Sequence, residues 1–407
     1  MRKKQTSTTV ISLWMTVFGL VFCSIAIVSS PAYALWVGQS QINPFLELKG
    51  SYESNIYRVN EDTDSDTIIT LSPGVHIEYP TGQGSSIKAV ADYRADITVY
   101  GHHGDETIDP DEQLNTIDHR LGGYVTFNLP SGLLGKAGYV FTVSSIAPDY
   151  KGDTRNDYKQ HTLEGVIGYR FADRYKIEFD YTGRFQNFDE SEFSADDIHS
   201  NTMDLLGFYQ IRPKLSTLLG GAYALFDRQD PFIDSEEYRA YGGFEYELSE
   251  KTEGLLKVGV ASRQFDSDAL DDVTDLFLDG HLRSEYLERT QWTLNLFRHY
   301  HDTALSDLTV ENGIYYISTG FGGSVKHSLA TLPNMSFVAE LTLSKDSYPD
   351  DPDDREDNFI DANVGLNYKF YKYLSLGAAY NYINRDSNID VRNYTNHLAM
   401  MRIRGLI

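Results

Sequence analysis

The sequence predicts an all-β fold: a transmembrane antiparallel β-barrel of about eighteen strands, with sixteen as the nearest alternative. Three observations carry this expectation. From about Phe45 to Ile407, apolar and polar residues alternate in segments of strand length separated by turns. Every second connection is long and rich in Asp and Glu. Beyond the N-terminus no apolar run approaches the length of a spanning helix, and no helical periodicity is present.

Residues 1–34 read as a cleaved signal peptide and residues 35–407 as the barrel. Arg2, Lys3 and Lys4 precede an apolar run from about Val10 to Val28, and Ala32-Tyr33-Ala34 fits an A-x-A cleavage site. The single cysteine, Cys23, lies within that run. The mature chain is therefore expected to hold no disulfide, thiolate metal site or cysteine nucleophile.

The strands follow in order. The first is near Phe45–Tyr57, and the second, near Ile68–Tyr79, sends Ile69, Leu71, Val75, Ile77 and Tyr79 outward. The third alternates most clearly: Ile87, Ala89, Ala91, Tyr93, Ala95, Ile97 and Val99 are interleaved with Lys88, Asp92, Arg94 and Asp96. Then come Thr116–Leu129, Leu133–Ile146, Tyr158–Phe171 and Tyr175–Phe188, the last setting Ile177 and Phe179 against Lys176, Glu178, Asp180 and Arg184. The series continues with Asn201–Arg212, Leu215–Phe226, Glu237–Leu248, Thr252–Arg263, Leu276–Tyr286 and Thr290–Tyr300. Gly313–Lys326 follows, its faces blurred by glycine, then Met335–Lys345, Phe359–Tyr371, Tyr373–Arg385 and Tyr394–Ile407. In the last of these, Ala399, Met401 and Ile403 oppose Arg402 and Arg404.

The connections sort into short turns after even strands and acidic loops after odd ones. The loops include Asn60–Asp66, His102–Gln113, Asp189–Asp197, Asp227–Glu236, Asp266–Asp275 and Asp346–Asp357. Short turns belong in the periplasm and long loops outside. Of the 29 Tyr and 21 Phe residues, many lie near strand ends, where interfacial girdles are expected, although strand propensity alone also enriches them.

Candidate lumen-lining residues are the charged members of the polar faces: Lys88, Asp92, Arg94, Asp96, Asp118, Arg120, Lys176, Glu178, Asp180, Arg184, Arg239, Glu245, Arg402 and Arg404. Both signs are present, which suits either a path for a polar solute or cross-strand pairing that stabilises the wall. With a net charge of −24, nucleic acid is excluded as a partner. Outer-membrane lipid, lipopolysaccharide and the barrel-assembly machinery are the expected partners.

No catalytic residue or cofactor is expected, and no G-x-S-x-G, H-E-x-x-H or P-loop pattern occurs. Asp62-Thr63-Asp64-Ser65-Asp66 and Asp350-Asp351-Pro352-Asp353-Asp354 could hold loop-bound divalent cations, or form a solvated acidic surface. His299 and His301 share a strand face but bring no third ligand.

Two segments resemble a known family. One is Tyr52-Glu53-Ser54-Asn55-Ile56-Tyr57, followed after an acidic stretch by Ser65 to Gly74. The other is Tyr382-Ile383-Asn384-Arg385-Asp386-Ser387 with Tyr394-Thr395-Asn396-His397-Leu398. They are similar to the outer-membrane barrels called putative β-barrel porin type 2. The resemblance implies passive translocation of a polar polymer, exopolysaccharide, to the cell surface beside periplasmic polysaccharide-export proteins. It brings no catalytic residue, and its motif residues are expected to mark loop entry and strand register. The alternatives are a general or sugar-selective uptake porin and, from another class, a barrel hydrolase of lipid or surface glycan.

Overall fold

A computed structural model describes residues 35–406 apart from 82–84, 103–113, 147–155, 190–196, 230–232, 250, 268–269 and 303–314. A three-residue strand, β1 (Leu35–Val37), precedes eighteen long ones. These are β2 (Ser40–Glu53), β3 (Asp66–Tyr79), β4 (Ile87–Tyr100), β5 (Thr116–Asn128), β6 (Leu133–Ile146) and β7 (Asn156–Phe171). Next are β8 (Tyr175–Phe188), β9 (Ile198–Arg212), β10 (Leu215–Arg228), β11 (Ser235–Ser249), β12 (Thr252–Phe265) and β13 (Val273–Leu287). The last six are β14 (Thr290–Asp302), β15 (Tyr315–Ser328), β16 (Met335–Ser347), β17 (Glu356–Tyr371), β18 (Leu374–Ser387) and β19 (Tyr394–Leu406).

Each strand from β2 to β19 pairs antiparallel with its sequence neighbours, and β19 pairs with β2, so the sheet closes on itself. The strand number and order are those predicted. Closure removes the exposed edges that an open sheet of this length would present. Two-residue turns such as 213–214, 288–289 and 372–373 lie at one end, the periplasmic one, and the long acidic loops at the other.

Several strands begin or end one to three residues beyond their expected bounds, and the first differs most. The first barrel strand spans Ser40–Glu53 rather than Phe45–Tyr57. Residues 54–57 leave the wall because the Asn55 side chain donates to the Val59 carbonyl at 2.7 Å and accepts from the Val59 amide at 3.1 Å, closing a local loop. At the other end, β1 pairs with β2 through Leu35↔Ile42, on the edge that β19 takes up from Phe45. Pro44 falls between the two, where β2 has no partner on that edge.

The alternation sorts residues onto two faces. Outward positions hold exposed apolar side chains, among them Ile117 (61% exposed), Leu205 (58%) and Leu219 (74%), which in a bilayer meet lipid. Near the periplasmic end, the outward rings of Tyr169, Phe171, Tyr175 and Tyr209 form a chain with centroids 5.2–6.2 Å apart. Higher on the wall, outward Tyr–His pairs recur between neighbouring strands. The phenol oxygens of Tyr93, Tyr139 and Tyr380 lie 3.0, 2.8 and 2.6 Å from Nδ1 of His119, His161 and His397. A ring in hydrocarbon with its polar end turned toward the headgroups is what an interfacial girdle requires.

Candidate functional site: the barrel lumen

Contacts that skip strands identify the inner face, because only the concave side of a barrel brings such residues together. Arg94 on β4 reaches Glu47 on β2 at 3.5 Å, Lys176 on β8 reaches Glu245 on β11 at 3.3 Å, and Lys257 on β12 reaches Asp204 on β9 at 3.5 Å.

The register puts the candidate residues on this same face. Lys88, Asp92, Arg94 and Asp96 alternate along β4, and Arg120 and Asp118 stand opposite Arg94 and Asp96 on β5. Lys176, Glu178, Asp180 and Arg184 line β8, Arg239 and Glu245 line β11, and Arg404 and Arg402 on β19 oppose Glu47 and Lys49. Many are paired: Arg94 Nε donates to Asp96 at 2.6 Å, Arg184 to Gln186 at 2.5 Å, Arg239 Nε to Glu237 at 2.5 Å and Arg402 to Asn367 at 2.8 Å. The lining is thus a mixed-charge surface whose side chains are largely held in place.

The inner wall is not uniform. Along β14 and β15, one face turns Leu294 (38% exposed), Leu296 (44%), Phe321 (37%) and Val325 (41%) to the outside. Further toward the extracellular end the same face carries Tyr300, Tyr315 and Ile317, which are 9%, 4% and 6% exposed. They are buried against the inner wall. Tyr315 packs on Phe265 of β12 with centroids 5.1 Å apart, and the Tyr300 hydroxyl donates to the Ala261 carbonyl at 3.4 Å.

The pairing explains how this happens. β13 stays paired with β12 as far as Val273, but its pairing with β14 ends at Leu278↔Arg298. Beyond that point the ends of β14 and β15 tuck inside the barrel. Ion pairs hold the tuck: Asp302 with Arg263 and, at 3.6 Å, with Arg228, and Arg298 with Asp275. Arg263 is 2% exposed and also donates to the Ser235 hydroxyl at 3.1 and 2.9 Å.

The tucked hairpin bears a continuous series of rings on its lumen side. Tyr241 of β11 contacts Phe277 of β13 (5.4 Å between centroids), and Phe277 stacks on His299 (5.4 Å, 25°). His299 then neighbours His301 (6.4 Å), His301 stacks on Tyr316 (5.2 Å, 20°), and Tyr316 meets Tyr348 in the loop after β16 (5.1 Å). Tyr241, Phe277 and Tyr348 are buried supports, whereas His299, His301 and Tyr316 keep part of their surface free. Cations flank the series. Lys257 lies 4.9 Å from the Tyr241 ring, Arg239 5.4 Å from Phe277 and Arg355 3.9 Å from Tyr348.

Gly320 makes this packing possible. A Cβ there would lie 2.3 Å from the Phe297 ring, which occupies the space a side chain would take. Below the rim, Arg355 and Asp357 form a fully buried pair at 2.7 Å, with Arg385 3.1 Å from the same carboxylate. Burial pushes the Tyr348 phenol up, so it stays neutral.

The two family-like segments meet at the closure seam. The Asn396 side chain accepts from the Asn55 amide at 3.2 Å and donates to Glu53 at 2.6 Å, while the Ser54 hydroxyl accepts from the His397 amide at 2.8 Å. Asn55 also donates to the Thr395 carbonyl at 3.2 Å. These residues latch β19 to the start of the first loop.

The acidic motifs serve the backbone. Asp66 accepts from the amides of Thr67, Gly101 and His102 at 2.6–3.1 Å, and Asp351 from the Asp353 amide at 2.8 Å. Among the described residues, no group of three His, Cys, Asp or Glu side chains is placed to hold a metal ion.

A closed eighteen-stranded barrel with an apolar exterior and a charged, ring-lined interior is the architecture of a transmembrane β-barrel of the Gram-negative outer membrane. Residues 223–405, from β10 to β19, match the family model described as Putative beta-barrel porin 2. No curated protein sequence matches the chain. Among solved structures, OpdK of Pseudomonas aeruginosa with vanillate aligns at 9% identity and a TM-score of 0.47 over 90% of this chain and 99% of that one. A BenF-like porin of Pseudomonas fluorescens Pf-5 aligns at 11% and 0.48 over 92% and 100%. OccAB4 of Acinetobacter baumannii aligns at 12% and 0.46 over 91% and 99%.

Proposed function

We propose that the barrel is a passive channel for saccharide, carrying an exopolysaccharide chain outward to the cell surface. The observation that supports this reading is the ring series from Tyr241 to Tyr348 with charged groups along it. A pyranose ring has C–H faces that pack on aromatic rings and an equator of hydroxyls that both donate and accept hydrogen bonds. Arg239 beside Phe277, held in place by the buried Glu237, supplies a partner for those hydroxyls. His299, His301 and Tyr316, near the extracellular ends of β14 and β15, keep part of their surface free, so successive sugar units can exchange one ring for the next. A path of many weak sites lets a cargo enter and also leave. No step requires catalysis or a cofactor.

The test is a strain lacking this protein. Polymer should collect in the periplasm while surface polysaccharide falls. Unchanged surface polysaccharide, together with lost swelling of proteoliposomes in mono- and disaccharides on removal of His301 and Tyr316, would replace export by sugar uptake.

A further inference from the structure

The chain is strongly acidic, yet the periplasmic mouth contains a cavity of about 630 Å³ whose charged lining is mainly basic. Arg170, Arg174, Lys176 and Lys214 face it, against Asp173 and Glu245. Glu245 is occupied by Lys176 at 3.3 Å. Among the described residues, Arg170 makes one hydrogen bond, to Asn128 at 3.5 Å, and the Arg174 guanidinium has no hydrogen-bond or ion-pair partner.

The scaffold around these two guanidinium groups is built rather than loose. Gly132 adopts φ +94°, and a Cβ there would lie 2.4 Å from the Arg170 carbonyl oxygen. The turn between β5 and β6 can therefore lean directly on β7, and the Arg170 amide donates to the Gly132 carbonyl at 3.0 Å. Arg174 follows a turn in which Ala172 (φ 49°) and Asp173 (φ 57°) are both left-handed, and its carbonyl accepts from the Gln210 amide at 2.8 Å. Gln210 in turn donates from Nε2 to the Pro213 carbonyl at 3.0 Å. Three turns thus tie together around the cavity, and two forks of N–H donors remain for a planar oxyanion.

We propose that this cavity is a binding site for the carboxylate of a sugar acid, so that the saccharide of the preceding section is an anionic one and is captured from the periplasmic side. The inference rests on that reading for the word saccharide. The oxyanion site itself rests on the cavity. The acidic loops at the far end give the barrel an axial field that concentrates anions at the periplasmic mouth and repels them from the outside. A phospholipid headgroup phosphate is the other oxyanion that this end of the barrel could meet.

The test uses the purified barrel in a planar bilayer, its orientation read from which side a protease trims the long loops. Trigalacturonate should block current from the periplasmic side at about one-tenth of the concentration needed from the other side or needed for maltotriose, the loss expected for one charge-assisted hydrogen bond. The double variant Arg170→Gln with Arg174→Gln should abolish that difference while keeping its heat-modifiable gel migration. Equal block by both sugars, equal block from both sides, or undiminished block in the double variant would overturn the proposal. Block present in a phosphate-free glycolipid bilayer and absent in phosphatidylglycerol would give the site to the lipid phosphate instead. A second readout separates this proposal from the saccharide reading. A reversal potential in a KCl gradient that moves toward cations in the double variant supports the oxyanion site even where no sugar blocks. In that case only the saccharide reading fails.

Discussion

Replacing Asp302 by Asn should free the tucked end of the β14–β15 hairpin. Asp302 faces two guanidinium groups, Arg263 and Arg228, whose side chains are only 2% and 7% exposed. Removing one partner of a buried ion pair costs about 3–5 kcal/mol, mostly because the other charge is left uncompensated. Arg263 keeps its Ser235 bonds and lies over the Phe226 ring at 4.6 Å, so the lower end, about 3 kcal/mol, applies. The burial of Tyr300, Tyr315 and Ile317 offers little compensation, because lipid receives these side chains as readily as the inner wall does. Polar contacts therefore decide between the tucked hairpin and one returned to the wall. Extending the present register would then pair Leu276 with Tyr300 and turn Tyr300, Ile317 and Tyr315 outward beside Leu276. A loss of about 3 kcal/mol shifts that balance roughly a hundredfold. Single-channel recording should show a larger conductance level in Asp302→Asn, and a Leu276→Cys, Tyr300→Cys pair should crosslink more readily in that background. An unchanged conductance and no crosslink, in a barrel with normal heat-modifiable migration, would refute the reasoning.

Other outcomes follow from the same contacts. Asn396→Ala removes hydrogen bonds at a position 2% exposed and leaves the Asn55 amide and Glu53 without that partner, a cost of about 1–3 kcal/mol. The urea midpoint read from gel migration should fall while conductance stays the same. Tyr316→Ala removes the ring between His301 and Tyr348, worth about 1 kcal/mol in ring contacts, so saccharide block of the current should weaken several-fold. Arg355→Met leaves the fully buried Asp357 with Arg385 alone, costing about 3 kcal/mol, and limited proteolysis should then cut the loop between β16 and β17 faster.

Much of the fold was legible because alternation is a local signal and eighteen repetitions reinforce one another. Strand order, the sorting of short and long connections and the Arg402/Arg404 face of the last strand all follow from it. The start of the first barrel strand was not legible, since Gln41-Ile42-Asn43-Pro44 breaks the pattern while β1 supplies pairing from outside it. The tuck was illegible for a different reason. Tyr315, Ile317, Phe321 and Val325 share one face broken only by Thr319 and Gly323, and apolarity suits a lipid tail and a protein interior equally. The glycines that blur β15 have a positive role, visible only once Phe297 is seen lying on Gly320. His299 and His301 could be seen to share a face. Their neighbours Phe277, Tyr316 and Tyr348 come from other segments, and only the register brings them into line.

The latch between Asn55 and Asn396 joins residues 341 positions apart, one just after the first strand of the barrel to be made and one in the last. Until residues near the C-terminus exist, β2 and β18 are both open edges that can pair with any other strand in the envelope. The chain must therefore travel from ribosome to membrane without the contact that completes it. A truncation before Tyr394 would produce an open, adhesive sheet rather than a smaller pore. Inspecting β19 before release into the bilayer would thereby check the closure of the whole barrel.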